Sequence, residues 1–419
     1  MSVTTLNSAT GFVPDPRALV GAVPLKGYEH HRHERSLADQ APVHVTKLPD
    51  GLEVYVTTMG LADTRVLLSG TGTWPRMSKD ASALRSAMLS QGVQPGEIIG
   101  RNLLYSDLPE HQVLHGLVRS GFSRARIEGL RPRLHDLILD LLDALPEEGE
   151  PVDVVERIAV PLPLTMICEL MGVPTELRPD MRRWSAAIMT NDPAVSAPAG
   201  QAMAEAFSAL IALRRKRPDE ALLSALVHAD VDGARLGDEQ LATMLILLIV
   251  AGHETTTALI GNCLAALLHS PGAWKSLAGQ HTGIGSAIAE VIRWDSPVRM
   301  TPHYLATDTI HLSADHAIPE GAVIMVNLGT AGRCRRHNGS AADLFNPFRE
   351  TNAGDHVGFG HGLHFCLGNL LATTEVDLLM RVLCDRYPNS TLVGDIRQTP
   401  RARSSITNAW ARLDVQLRR

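Results

Sequence analysis

The sequence predicts a mainly α-helical fold with a small β-region, in one domain that begins near residue 26. Three observations carry that prediction. The stretch from Asp238 to His269 is apolar nearly all round, opens on a capping aspartate and stops at Ser270-Pro271-Gly272, as a long buried helix does. From Asp80 to Arg419 the apolar spacing is helical, punctuated by glycine and proline, with no internal repeat and no low-complexity linker. Strand-like alternation is confined to two short regions, 43–59 and 309–326.

In chain order, Met1 to Leu25 is rich in Thr, Ser, Gly and Pro, has little periodicity, and predicts an extended arm. Glu29–His33 reads EHHRH; a metal site is conceivable there, but a solvated surface cluster is the expectation. Val43 to Met59 alternates around Pro49-Asp50-Gly51 and predicts a hairpin. Asp107-Leu108-Pro109-Glu110-His111 opens a helical segment in which His115, four residues on, shares the face of His111. Thr190–Gly200, rich in Pro, Ala and Ser, predicts a mobile lid loop.

The helix predicted for Asp238–His269 spans roughly 48 Å at the usual rise per residue. Its centre, Ala251-Gly252-His253-Glu254-Thr255-Thr256, breaks the apolar pattern. A glycine costs up to about 1 kcal/mol inside a helix, and a buried carboxylate costs more unless it is paired. The bland account leaves Glu254 facing solvent and Thr255 bonded back to its own helix. Glu290 and Arg293 share a face of the helical run Ser286–Trp294, a weak signal alone. Thr309–Leu312 and Val323–Val326 predict short strands around Pro319-Glu320-Gly321, and Arg333, Arg335 and Arg336 crowd the irregular stretch Gly329–Pro347.

The last element is the loop His356–Gly368, HVGFGHGLHFCLG, followed by the helical run Asn369–Leu383. Its glycines allow tight turning and close approach to a flat ligand. Free backbone N–H groups and a helix N-terminus beside Cys366 favour a thiolate, suited to holding a metal. The metal stays open at this point: His356, His361, His364 and Cys366 also have the ligand types of a zinc site.

Composition narrows the function classes. The chain is 45% hydrophobic and 20% charged with a formal net charge of −6, so no charge excess points to nucleic acid. Cys168, Cys263, Cys334, Cys366 and Cys384 lack paired spacing, which predicts free thiols in a reducing compartment. No signal peptide is visible, and the longest apolar run, Leu241–Ala251, is short for a membrane span. A cytoplasmic protein is expected.

Together these segments resemble a bacterial, soluble cytochrome P-450. FGHGLHFCLG matches the family's haem-binding loop F-G-x-G-x-H-x-C-x-G at every defined position; AGHETT at 251–256, EVIR at 290–293 and DLPEH at 107–111 match its other motifs, and SPVRMTPHYLATD at 296–308 falls in register with the strand after E-x-x-R. The resemblance runs from about Val43 to Leu417. It implies the family's fold, a triangular helical prism with the long central helix over haem, and haem b as cofactor. The activity it implies is a monooxygenase that inserts one oxygen atom of O2 into a small organic substrate by hydroxylation or epoxidation. Few aromatics in the variable segments lean toward a secondary-metabolite intermediate such as a terpenoid or macrolide.

Carried over by position, the resemblance makes Cys366 the axial ligand of haem iron, with Phe359, Gly360 and Gly368 shaping the loop around it and His364 reaching a propionate. His111 is implied to join His364 there. So are His115 and His303, both standing where the family usually has arginine. Glu254 and Thr255 are implied to deliver protons to dioxygen, and Ala251 and Gly252 to widen the helix groove. Glu290, Arg293 and Arg333 are implied to form the ion-pair network under the haem, and Arg299 and Ile406 to line the substrate pocket. Electrons are implied to come from a ferredoxin and its reductase, docking on Arg119, Arg124, Arg126, Arg335 and Arg336 of a monomer that needs no membrane. A catalytically silent member that activates a partner enzyme is the alternative; Cys366, the E-x-x-R pair and AGHETT weigh against it.

Overall fold

The computed structural model describes residues 12–70, 77–96, 98–190, 192–230, 235–349 and 356–419. Helix α1 (Glu29–Ala38) precedes the hairpin β1 (Val43–Lys47) and β2 (Glu53–Thr57), as the alternation predicts. Then come α2 (Leu61–Ser69), β3 (Met77–Ser78), α3 (Ala81–Ser90), α4 (Glu110–Val118), α5 (Arg124–Asp143), β4 (Pro151–Asp153) and α6 (Pro161–Met171). Helices α7 (Arg178–Ile188), α8 (Pro193–Lys216) and α9 (Leu222–His228) lead into α10 (Asp238–His269), whose bounds are those predicted. The chain continues through α11 (Pro271–Gln280) and α12 (Ile284–Trp294) to four strands, β5 (Tyr304–Ala306), β6 (Ile310–His311), β7 (Ala317–Ile318) and β8 (Val323–Val326). It ends with α13 (Leu328–Gly332), α14 (Arg335–Asn338), α15 (Asn369–Arg386), β9 (Thr391–Leu392) and β10 (Asp414–Gln416).

Helix α10 is the axis of the molecule. By length and composition it is apolar enough to cross a membrane, yet it is buried inside the protein. Its first half packs with α6, α8 and α9 in one apolar core; its second half packs with α12, α15 and β10 in another. The β-region is a five-stranded sheet in the order β1-β2-β8-β5-β3, with β2 and β8 parallel and the other pairs antiparallel. β3 pairs with β5 so that Met77 faces Ala306 and Ser78 faces Leu305, and Lys79 follows directly. A third core lies against this sheet.

Three expectations need correction. Residues 1–11 of the predicted arm lie outside the described residues, but from Pro16 the chain is packed, not extended. Leu19 and Val20 are fully buried with Met300 and Val323, because an apolar pair after a short turn completes the core against the sheet. The EHHRH cluster is not solvated either: α1 turns His30, His31 and Glu34 inward. His30 Nε2 and His31 Nε2 lie 2.9 and 3.2 Å from Asp295 Oδ1, while Arg401 and Asn408 donate to the same carboxylate at 2.9 and 2.8 Å. His30, His31 and Asp295 sit at a spacing that suits a metal, within 4.8 Å, but the Arg401 guanidinium already answers the carboxylate's charge. Finally, most of TNDPAVSAPAG is helical. Asp192 caps the N-terminus of α8 by accepting from Ala194 N–H, Pro193 takes the first helical position, and the alanines propagate the helix.

Candidate active site

The loop 356–368 is shaped by where glycine is required. A Cβ on Gly358 would strike the Ile292 side chain of α12, and one on Gly362, at φ +73°, would come 2.6 Å from the Leu68 carbonyl oxygen of α2. The loop therefore lies flush against both helices. Gly360 N–H returns to the Val357 carbonyl at 2.8 Å and Cys366 N–H to the Phe359 carbonyl at 2.9 Å, closing the turn. Phe359 packs against the α12 and α15 core, and Gly368 stands at the N-terminus of α15.

Cys366 stands just before the N-terminus of α15, where the backbone N–H groups of Gly368 and Asn369 favour the charged sulfur. Those groups do not by themselves produce the thiolate the sequence suggests: burial dominates and pushes the thiol up to about 11. A coordinated metal would displace that proton, and the helix N-terminus would then favour the resulting charge.

Cys366 lines a cavity of about 390 Å³. Leu247, Leu248, Ala251, Gly252, Glu254 and Thr255 of α10 form one part of its wall, and Ile98, Ile99, Ile188, Thr301 and Ile406 others. Ile406 thus stands where it was expected. Arg299 does not. Its side chain is 5% exposed and turned the other way, donating to the Ala18 and Leu19 carbonyls at 3.0 Å each and lying 3.5 Å from Glu34. A guanidinium needs more acceptors than an apolar pocket offers, and the N-terminal segment supplies them.

Helix α10 is continuous through 251–256. Thr255 Oγ1 donates to the Ala251 carbonyl at 2.7 Å, the back-bond of the bland account, and the residue lines the cavity with its oxygen still able to accept. Glu254 departs from that account: its side chain is 20% exposed and burial pushes it up to about 7, with Ser185 and Arg182 pulling the other way. Ser185 of α7 lies 3.2 Å from His253 Nδ1, which is itself 3.4 Å from the Glu254 carboxylate, so the three form one polar group at this turn. Sequence reasoning missed Ser185, since nothing in its local pattern marks it. Gly252 lies where a Cβ would sit 3.1 Å from Ile167, so α10 and α6 approach closely there.

His111, His115, His303 and His364 all line the same cavity. His111 meets His364 edge-on with ring centroids 4.7 Å apart and stacks on His115 at 5.9 Å. Burial holds His303 down at about 4 and His364 at about 2, each lowered further by Lys79. His111 is lowered too, by burial and then by His115. These three imidazoles are neutral hydrogen-bonding groups at pH 7, and neither ring nitrogen of His303 has a partner. Lys79, also in the wall and 1% exposed, was missed by sequence reasoning; from sequence alone it looks like any surface lysine next to the cap Asp80. A cysteine sulfur at a helix N-terminus, apolar walls and unpaired buried nitrogens fit a flat metal cofactor that carries acidic groups.

The ion-pair network has a different third member from the one expected. Arg293 Nε and Nη2 clamp Glu290 at 2.7 and 2.9 Å, and the second guanidinium on Glu290 is that of Arg349, at 3.0 and 3.2 Å. Arg333 pairs instead with Glu34 of α1 and donates to the Trp294 carbonyl at 2.6 Å. Asn346 N–H adds a donor to Glu290 at 2.9 Å.

Residues 284–402 match the family model described as Cytochrome P-450. The chain is 36% identical over 390 residues to cytochrome P-450 107B1 of Saccharopolyspora erythraea, covering 91% of this chain and 92% of that protein. It is 36% identical to the cytochrome P-450 monooxygenase PikC of Streptomyces venezuelae (85% and 83% covered) and 34% identical to a vitamin D(3) 25-hydroxylase of Pseudonocardia autotrophica (92% and 93%). Among solved structures, the tirandamycin C-bound P-450 monooxygenase TamI superposes with a TM-score of 0.82 at 31% identity, over 92% of this chain and 97% of that one.

Proposed function

The chain belongs to the cytochrome P-450 family and is a haem-thiolate monooxygenase; on that premise we propose that it oxygenates a bulky, largely aliphatic secondary metabolite of the macrolide or terpenoid kind. One observation carries the reading: Cys366, fixed by its own loop at the start of α15, shares an apolar cavity with Glu254 and Thr255. The cavity walls are mostly aliphatic and orient a substrate by shape more than by charge. Relatives named as a mycinamicin IV hydroxylase/epoxidase and a 6-deoxyerythronolide B hydroxylase support the macrolide arm of this reading.

Haem b would be held through Cys366, and His111, His115, His303 and His364 would offer hydrogen bonds to its propionates. When bound, it supplies dioxygen activation and transfer of one oxygen atom to substrate. Glu254, with a proton affinity near neutrality, takes and releases protons at its carboxylate, and the Thr255 hydroxyl presents them in the cavity. The aliphatic walls keep bulk water out. Electrons come from a ferredoxin and its reductase. Arg119 and Arg124 stay exposed for docking, whereas Arg335 is engaged with Asp343 and Arg126 with the Glu220 carbonyl. The protein acts as a monomer in the cytoplasm. The test is turnover with ferredoxin, reductase and labelled dioxygen over macrolide and terpenoid libraries. A product carrying one labelled oxygen atom supports the reading; haem-loaded protein that oxygenates neither class overturns it.

A further inference from the structure

We propose that Lys79 is the cationic anchor for a carboxylate of the bound haem, taking the charge-pairing role that no arginine fills among the described residues of the cavity wall. The inference rests on the reading of this site as a haem site. Among the described residues that line the cavity, Lys79 is the one lysine or arginine. It is 1% exposed, and its Nζ has no hydrogen-bond partner.

An ammonium group in that position is costly to bury without a partner. The nearby Asp107 carboxylate favours the ammonium by its charge but makes no hydrogen bond to Nζ; its Oδ1 accepts the Lys79 backbone N–H at 3.0 Å and its Oδ2 accepts the Ser78 hydroxyl. What Nζ has instead are two aromatic faces, Tyr304 at 4.2 Å from the ring centroid and Tyr105 at 5.4 Å. Such contacts offset only part of the lost hydration, and burial accordingly pushes Lys79 down to about 7. Lys79 follows directly on the β3–β5 pairing, which places its Nζ over Tyr304 and its charge within reach of His303, both of whose ring nitrogens are unpartnered. Tyr304 in turn meets His364, and His364 meets His111. The wall therefore offers one lysine, which an acidic partner would hold in its charged form, amid imidazoles, and this suits a ligand with acidic groups at one edge. Lys79 supplies the charge and the imidazoles supply directional hydrogen bonds.

The test compares the wild-type holoprotein with Lys79→Met and Lys79→Arg, each loaded with native haem or with haem whose two carboxylates are methyl esters. The readout is the rate of haem transfer to excess apomyoglobin. Native haem should leave Lys79→Met at least about ten-fold faster than wild type, about 1.4 kcal/mol, with Lys79→Arg largely restoring retention. With the esterified haem, wild type and Lys79→Met should lose it at the same rate. Thermal unfolding of the haem-free proteins should place Lys79→Met at or above wild type, because the variant removes an unpaired buried charge. Equal acceleration for both haems would assign Lys79 a purely structural role and overturn the proposal. So would unchanged retention of native haem, including the case where only binding of carboxylated substrates is altered. Wild-type protein that takes up no haem would instead overturn the underlying reading of the site.

Discussion

Glu290 is the residue on which the loop region beneath the cavity is strung. It is fully buried and accepts from Arg293, Arg349 and the Asn346 backbone, so removing one partner leaves charge stranded; such losses run to about 3–5 kcal/mol. Double-mutant cycles should give a coupling of more than about 1 kcal/mol for Glu290→Gln with Arg349→Gln, and less than about 0.5 kcal/mol for Glu290→Gln with Arg333→Gln. Glu34→Gln with Arg333→Gln should couple strongly. Chemical denaturation of the four proteins in each cycle measures this, and strong Glu290–Arg333 coupling would refute the assignment. The sequence placed Glu290 and Arg293 together because three residues on a helix is a fixed geometry. It had no comparable rule for which arginine of 329–349 closes the network. That choice depends on the turns at 339–349, which aim Arg349 at Glu290 and leave Arg333 to α1. Arg299 was misplaced for a related reason: its partners, Ala18 and Leu19, are some 280 residues away.

At the scale of elements, long and strongly patterned segments were legible and short boundary signals were not. Helix α10 could be read to its end residues from its apolar surface and the Ser270-Pro271-Gly272 stop, although Asp238 is its first residue and not its cap: Gly237 takes the N-cap position and no side chain caps the helix. The start of α8 could not, since proline and serine suggested a loop although Asp192-Pro193 is itself a helix-start signal. The centre of α10 keeps regular helical bonding, so its role rests on side chains. Thr255→Ala removes a hydroxyl whose helix bond is to its own turn, and it should cost at most about 1 kcal/mol of stability. It should nonetheless divert a substantial share of reducing equivalents into peroxide, measured as peroxide formed per NADH consumed with substrate present. Coupling that matches wild type would remove Thr255 from the proton path.

On the scale of the whole molecule, Asp295 ties α1, the end of α12 and the C-terminal segment into one buried node through His30, His31, Arg401 and Asn408. Burial holds His31 down at about 4 against an ordinary 6.5, and Asp295 lies well below its ordinary 3.8 through Arg401 and the two histidines, despite burial. The sign follows from proton uptake on unfolding. A histidine depressed in the folded state contributes stability that is fully present above pH 6.5 and is lost as pH falls toward 4; Asp295 adds further loss only below 3.8. Stability should therefore decline with acid from about pH 6.5 downward, and His31→Gln should flatten that slope between pH 6 and 4, measured as Tm against pH. A His31→Gln profile parallel to wild type would contradict it. This node was out of reach of sequence reading: EHHRH looks solvated until the Asp295 carboxylate arrives from the other end of the chain. The thiolate centre was the most legible feature, because loop glycines, Cys366 and the following helix are contiguous.

The central claim is that Cys366 binds haem iron as a thiolate in this cavity, and the reduced, carbon monoxide-treated protein tests it most directly. The wild type should absorb at about 450 nm, the band that marks a thiolate ligand trans to carbon monoxide, and Cys366→His should lose that band even where haem is retained. A colourless protein, or a band at about 450 nm that survives the Cys366→His substitution, would contradict the account.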